Sequence, residues 1–402
     1  MNPIRQTYCR TYQKIFKMAI PMLPYRKPRM LHNFRQLPPV FRKHDVDSVL
    51  IVTDPGIRRL GLLAPLQRAL KKAGIAYAIF DQVVANPTTE NVEDALRLYR
   101  KEGCAAIIGF GGGSSMDCAK ALGIRVARPH TPLRRMEGVL RVMKQLPLIV
   151  AVPTTAGTGS ETTLAAVLVD SDTRHKFAIN DFPLIPQYAV LDPVVTMSLP
   201  PHITASTGLD ALTHAVEAYI GNSTTRETRQ DARKAVRLIF DNLDLAYRDG
   251  RNLSARRNML AGSFFAGCAF TVSYVGYCHA VAHSLGGEYN TPHGLANAVL
   301  LPHVLRAYGP CIDRKLWELA IVAGLADKNT PYDVAAERFI TEIEAMKQRF
   351  GIGDTFPELR RKDIRRLARY ADREANPQYP VPRIMDAEEL EVLYYMVLEK
   401  GN

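Results

Sequence analysis

From residue 48 onward, short apolar and often β-branched runs alternate with longer amphipathic stretches. Ser48-Val-Leu-Ile-Val-Thr53, 76–80, 105–110 and 147–152 have the length and texture of buried strands. Between them, 59–73 and 91–101 repeat apolar positions at helical spacing, and a further helix is expected from about Ser115. Short strands separated by helices are the pattern of a parallel sheet with crossover helices covering its faces. After about Leu191 the texture changes. Pro193, Pro200 and Pro201 punctuate a boundary, and 210–220, 227–247 and 253–268 read as long amphipathic helices. The pattern predicts an α/β domain over 45–197 and an all-helical domain over 198–402, a combination too long for one hydrophobic core.

Charge changes this picture only at the start of the chain. Ten of the net +12 charges lie within residues 1–44, which contain no Asp or Glu, so the remaining body is nearly neutral. A nucleic-acid groove in that body is not expected. The basic extension suits an organelle transit peptide, an amphipathic arm on a membrane or partner subunit, or a packed, partly solvated extension. Its first roughly 25 residues are expected to be separable, dispensable for chemistry and relevant to assembly or location, with residues from Pro28 onward packed on the α/β domain. Lys14, Lys17 and Arg26 interrupt every stretch that resembles a secretory core, and no apolar run reaches the length of about 20 residues that crosses a bilayer. Six cysteines without a C-x-x-C pair indicate neither a zinc ribbon nor a disulfide scaffold. A cytoplasmic location with reduced thiols is expected, with organelle import through the basic N-terminus as the alternative.

Two glycine-bearing loops follow expected strands. Gly109-Phe-Gly-Gly-Gly-Ser-Ser-Met-Asp117 opens a helix, where backbone N–H groups favour a diphosphate; Ser114 replaces the third glycine of the dinucleotide fingerprint. Pro153-Thr-Thr-Ala-Gly-Thr-Gly-Ser-Glu161 packs four hydroxyls and two glycines into nine residues, a composition suited to holding phosphate, ribose or amide groups. Asp54 ends the first strand, where it suits either a ribose or a helix N-cap.

Asp210 and His214 are four apart on one helix face, as are His279 and His283, and His293 follows in Asn290-Thr-Pro-His-Gly294. Thr291 and Pro292 suit the cap and first turn of a new helix there. Carboxylate and imidazoles without thiolates suit Fe(II), Zn(II) or Mn(II), and ligand chemistry alone does not choose among them.

Gly111-Gly-Gly-Ser114 with Asp117, the loop 153–161, Gly208-Leu-Asp-Ala-Leu-Thr-His214 and Tyr289-Asn-Thr-Pro-His-Gly294 together resemble the iron-containing (group III) alcohol dehydrogenases. The resemblance runs from about residue 46 to the C-terminus, including Ala375-Asn-Pro377. It implies α/β plus all-α architecture, with an N-terminal Rossmann-like parallel sheet, a C-terminal helical domain and an active site in the cleft between them, shared with dehydroquinate synthase. By resemblance, Asp210, His214, His279 and His293 match the metal ligands, and His283 matches the histidine beside the nicotinamide. Asp54, Asn86, Gly112, Gly113, Ser114, Asp117, Thr154, Thr155, Thr158, Thr163 and Lys176 match NAD-contacting positions. The implied reaction is reversible hydride transfer between NAD and a small primary alcohol or diol held by its oxygen on the metal, with His283 as proton relay. A homodimer or larger homo-oligomer is expected. The alternatives are a metal- and NAD-using lyase of the dehydroquinate synthase type and a non-catalytic NAD-binding relative. Residues 264–297 lack the Lys and Arg that a phosphorylated lyase substrate requires, and all four ligand positions are intact. Phe264, Phe265, Phe270 and Tyr274 suggest a small apolar substrate pocket. The family's F-G-x-G turn near the start has no counterpart in 28–39, so its usual first strand is not legible.

Overall fold

The computed structural model describes residues 2–399. The chain forms two compact units: one runs Pro24–Ser198, and the other joins the stretch ending at Leu23 to the stretch beginning at Leu199. The basic extension expected over 1–44 is therefore divided. Helix α1 (Pro3–Ala19) belongs to the helical unit, and residues from Pro24 onward belong to the sheet unit.

The sheet unit contains β1 (Arg29–Leu31), α2 (Leu37–Lys43), β2 (Ser48–Val52), α3 (Pro55–Arg59), α4 (Ala64–Lys72), β3 (Ala76–Phe80), α5 (Thr89–Lys101), β4 (Ala106–Gly111), α6 (Gly113–Ala127), β5 (Gly138–Val139), β6 (Leu148–Pro153), β7 (Ala165–Val169), β8 (Lys176–Asn180) and β9 (Tyr188–Val190). Six strands form a sheet in the order β1-β9-β6-β4-β2-β3, with every pairing parallel. Val49, Ile51 and Ile108 enter one apolar core, while Leu50, Val52 and Ile107 enter another, as period-two alternation requires of a sheet covered on both faces. β2 pairs with β3 on one side and β4 on the other, so the strand order reverses between β2 and β4. Ligands of open parallel sheets settle beyond the carboxyl ends at such a reversal.

Three differences from the sequence reading have local causes. The helix expected over 59–73 is broken between α3 and α4, where Gly61 takes a left-handed φ of 67°. β1 forms without the F-G-x-G turn: Asn33 Oδ1 accepts from Arg35 N–H, while Asp192 Oδ2 accepts from Phe34 N–H. A second sheet, in the order β5-β8-β7, was not expected; its β7–β8 pair is an antiparallel hairpin.

The helical unit contains α1, α7 (Pro201–Ile220), α8 (Arg226–Arg248), α9 (Leu253–Ser273), α10 (Tyr277–Tyr289), α11 (His293–Tyr308), α12 (Asp313–Val322), α13 (Tyr332–Arg349), α14 (Ile364–Ala375) and α15 (Ala387–Met396). α7 is its central helix. Six consecutive residues, Leu209 to His214, are buried, so it has no solvated face at the level of Asp210 and His214. Buried polar groups at that level require partners inside the protein. α9 and α10 meet at a 100° bend, with Tyr274 at φ 63° at the break. Among the described residues no single helix is long and apolar enough to cross a membrane.

Candidate active site

In the helical unit, α7 supplies Asp210 and His214, α10 supplies His279 and His283, and α11 opens with His293. One ligand atom from each of Asp210, His214, His279 and His293 lies within 4.8 Å of all the others. His293 reaches this group because Gly294 lets the start of α11 approach α7; a Cβ on Gly294 would stand 2.7 Å from the Ser206 carbonyl oxygen. Pro292 is the N-cap of α11 rather than part of its first turn, and Thr291 does not cap it. Its hydroxyl donates to Glu358 Oε1 at 2.6 Å instead.

Several groups fix these side chains. Asn297 Nδ2 donates to Asp210 Oδ1 at 2.7 Å and lies 3.2 Å from His293 Nε2. Phe270 stacks on the His214 ring with centroids 4.2 Å apart. His279 Nδ1 donates to Glu217 Oε2 at 2.6 Å, and the same carboxylate accepts from Gly276 N–H and Cys278 N–H, both at 2.8 Å. Glu217 thus binds the start of α10 and selects the His279 tautomer whose lone pair is on Nε2. Burial pushes His279 well below the ordinary histidine range, and nearby His214, His293 and His283 push it the same way. Burial also drives Glu217 up to about 7, against the pull of its backbone donors.

His279 Nε2 is buried and has no hydrogen-bond partner. Leaving such a group unmatched costs about 1–3 kcal/mol, whereas a cation among one carboxylate and three imidazoles satisfies it. The donor set therefore fits a divalent metal. His283 stands beside the group, its ring 5.1 Å from His293, and is partly exposed. Its Nδ1 donates to Glu374 Oε1 at 2.6 Å, and Tyr379 donates its hydroxyl to the same oxygen at 2.6 Å. Burial alone would raise Glu374, but His283, the Tyr379 hydroxyl and His293 outweigh it and leave the carboxyl below its usual range.

In the sheet unit, β2, β4 and β6 end side by side, with Val52 paired to Gly109 and Gly111 to Pro153. Their ends bring Asp54, the start of α6 and Thr154–Thr155 together. Gly111 has φ 153°, and a Cβ there would lie 2.5 Å from Ser115 Oγ, so the turn requires glycine. A Cβ on Gly112 or Gly113 would make only ordinary contacts, at 3.7 Å or more, with Thr155 and Thr158, so no side chain crowds the first-turn N–H groups of α6. Uncrowded first-turn N–H groups suit a phosphate group.

The other expected contacts divide into two sets. Thr154 N–H is bonded to the Gly111 carbonyl, Thr155 Oγ1 lies 4.0 Å from where a Gly112 Cβ would be, and Thr158 packs against Gly113, so these threonines and Ser114 line the turn. Asn86 and Lys176 meet each other, Nζ to Oδ1 at 2.9 Å. Asp54 caps α3 through Oδ1 and Ile57 N–H at 3.0 Å, the second of the two roles its position suggested. Asp117 faces inward: Oδ1 accepts from Ser160 Oγ at 2.9 Å and Oδ2 from Val167 N–H at 3.1 Å. Thr163 Oγ1 accepts from Lys120 Nζ at 2.8 Å.

Lys120 was not singled out from the sequence. It is buried, donates to the carbonyls of Thr163 and Ala165, and lies between Asp117 and Glu161 in charge. Burial lowers its ammonium to about 8 and raises Glu161 to about 7. A lysine three residues after Asp117 on α6 was visible as a position on the same helix face. Glu217, three residues after His214, was visible in the same way. Neither spacing says which partner it meets. The four aromatic residues expected to line one pocket do not converge: Phe264 packs edge-on against Phe265, which also meets Lys234, Phe270 touches His214, and Tyr274 packs with Phe16 and Tyr379.

A parallel sheet of dinucleotide-binding type and a helical unit with a histidine–carboxylate cluster that could hold a metal mark a class of cofactor-using enzymes, and comparison with known proteins names the family. The family model "Iron-containing alcohol dehydrogenase" matches residues 31–193, and "Fe-containing alcohol dehydrogenase family, C-terminal" matches 204–398. The chain belongs to the iron-containing alcohol dehydrogenase family and is an oxidoreductase. It is 40% identical over 351 residues to a 1,3-propanediol dehydrogenase of Klebsiella pneumoniae, covering 86% of this chain and 90% of that protein. A crystal structure of a 1,3-propanediol oxidoreductase superposes with a TM-score of 0.88 at 36% identity, covering 93% of this chain and 99% of that one. The sulfoacetaldehyde reductase of Bifidobacterium kashiwanohense, solved in complex with NAD+, gives a TM-score of 0.82 at 26% identity, covering 94% and 99%.

Proposed function

We propose that this alcohol dehydrogenase is NAD(H)-linked and divalent-metal-dependent, interconverting a small primary alcohol or diol and its aldehyde. The observation that carries the reading is the buried, unmatched Nε2 of His279 among three further ligand-type side chains. Asp210, His214, His279 and His293 would hold the metal, with Fe(II) favoured by the family and Zn(II) or Mn(II) compatible with the same donors. When bound, the metal supplies Lewis acidity to the alcohol oxygen and the nicotinamide supplies a hydride acceptor.

The chain's own residues supply positioning and proton handling. Glu217 holds His279 in the tautomer that aims Nε2 inward. Glu374 accepts a hydrogen bond from His283 Nδ1–H, leaving Nε2 as the atom that would take up and release the proton of the alcohol. The open N-terminus of α6 would receive the NAD diphosphate, with Thr154, Thr155 and Thr158 beside it and Asp54 toward the adenosine ribose. Asp117 and Thr163 act on the cofactor through the loop they brace.

A cytoplasmic homodimer or larger homo-oligomer belongs to the same proposal. Six free cysteines support reducing surroundings. The outward apolar residues of α1, among them Ile4, Tyr8, Ile15 and Met18, are surface of the kind that oligomers bury. Small aldehydes assayed with NADH and NADPH on metal-reconstituted protein test the whole reading. NADH-dependent reduction that disappears on chelation is expected, and full turnover by metal-free protein refutes it.

A further inference from the structure

Helix α1 lies outside both family matches, the first of which begins at residue 31, yet it is built into the helical unit. Cys9 and Gln13 on its inner face are buried. Beneath them runs the connection between α14 and α15, a stretch without helix or strand over 376–386. Buried carbonyls in such a stretch have no ladder to join and need donors from elsewhere. α1 provides them. Gln13 Nε2 donates to the Tyr379 carbonyl at 2.7 Å, and Arg10 donates to the Val381 and Pro382 carbonyls, each at 2.7 Å. Arg10 also donates to Gln13 Oε1 at 2.9 Å, fixing the amide that reaches Tyr379. One turn earlier, Arg5 forms a two-pronged pair with Asp372 on α14, both contacts at 2.9 Å.

The residues gripped in this way flank the partner of His283. Tyr379, held by its carbonyl, donates a hydrogen bond from its hydroxyl to Glu374, and Glu374 accepts another from His283 Nδ1–H. Asp372 lies two residues before Glu374 on the same helix. Phe16 adds a contact on the other side: its ring meets Tyr274 edge-on at 5.0 Å, at the bend that precedes α10 and therefore His279 and His283.

We propose that α1 is a strap that positions the Tyr379–Glu374–His283 relay, with Gln13 and Arg10 as positioning residues for proton transfer. This rests on the assignment of His283 as the relay. It also reverses the expectation that the first residues are dispensable for chemistry. Displacement of a reacting group by a fraction of an ångström to 1 Å is enough to change turnover by one to two orders of magnitude, about 10- to 100-fold.

The test uses full-length, metal-reconstituted protein carrying Gln13→Ala with Arg10→Ala. Turnover is expected to fall about tenfold, with bound metal, NAD affinity and the KM for NAD unchanged. Tyr379→Phe should cause a similar loss, and the triple variant should be no slower than the worse of the two, because both act on one relay. Hydrogen exchange over 372–382 should accelerate in the double variant. Unchanged turnover, additive losses, or a loss accounted for by missing metal overturns the strap. If deletion of 2–19 does not fold, the side-chain variants still decide the question. His283→Ala separates the two readings. If it keeps full turnover, the relay assignment fails and the strap falls with it; if it is inactive while the α1 variants are silent, only the strap fails.

Discussion

The candidate metal cluster and the carboxyl end of the parallel sheet differ in how their side chains are engaged. In the cluster, ligand-type atoms converge while the bracing comes from other residues: Glu217 on His279 and Asn297 on Asp210. At the sheet end, two residues matched to cofactor contacts are themselves the bracing: Asp117 and Thr163 spend their oxygens on Ser160, Val167 and Lys120. A metal requires side-chain lone pairs, so the ligands must be left for it. A diphosphate is received by backbone N–H groups, and side chains are then available to hold the loops that present them. Conserving chemistry thus means conserving atoms in one region and backbone shape in the other.

The largest effect that tests this difference is loss of a ligand. His279→Ala should abolish metal retention and lower turnover by more than about a thousandfold, as expected where the metal supplies the main charge stabilisation; metal analysis beside the assay checks it. A brace should cost less. Glu217→Ala is expected to weaken metal affinity about 10- to 100-fold, with Glu217→Gln retaining more because its amide oxygen still accepts from His279. Equal metal affinity in Glu217→Ala would erase the distinction between ligand and brace.

Lys120→Met probes the other region. Removing a buried ammonium that faces buried carboxyls should destabilise the sheet unit by about 3–5 kcal/mol and raise the dissociation constant for NAD, with metal content unaffected. The pH dependence has a definite sign. Burial depresses Lys120 to about 8 from 10.5, so the folded state binds fewer protons than the unfolded chain between those values. Its contribution is fully present above 10.5 and is lost as pH falls through about 8. Glu161, raised to about 7 from 4.5, contributes most below 4.5 and loses that contribution as pH rises through about 7. The unmodified protein should therefore gain on Lys120→Met between pH 8 and 10 in denaturant titrations. An unchanged difference across that range would mean Lys120 is not a buried charge.

These effects also mark what the chain reveals before folding. Asp210–His214 and His279–His283 are legible because i,i+4 on a helix is a spacing with one geometric meaning. β2, β4 and β6, buried on both faces, are legible as continuous apolar runs, and so is β3, although it lies at the sheet edge and is only half-buried. β1 is not, because three residues held by pairing with β9 carry no periodicity. Lys120 and Glu217 are not, because a charged residue on a helix reads as solvated until the packing that buries it is known. α1 shows the same limit from the other side: the basic start of the chain suggested that its first roughly 25 residues form a separable arm, but Arg5 and Arg10 turn inward to a carboxylate and to carbonyls that no local pattern identifies.

Asp54 gives the smallest and most discriminating effect, because it belongs to both descriptions at once. Its Oδ1 caps α3, a structural role, while its place at the end of β2 beside the strand-order reversal suits a ribose hydroxyl. Asp54→Ser keeps a capping oxygen and removes the charge; Asp54→Ala removes both. If the carboxylate selects NAD over NADP, both variants should narrow the preference by an amount equivalent to about 1–4 kcal/mol of relieved repulsion, depending on local dielectric. If it only caps, Asp54→Ser should leave cofactor preference and stability alone, while Asp54→Ala costs about 1 kcal/mol of stability. Competitive binding of NADH and NADPH beside thermal unfolding separates the cases. A narrowed preference in Asp54→Ser at unchanged stability would show that one oxygen can serve the fold while the charge serves the cofactor.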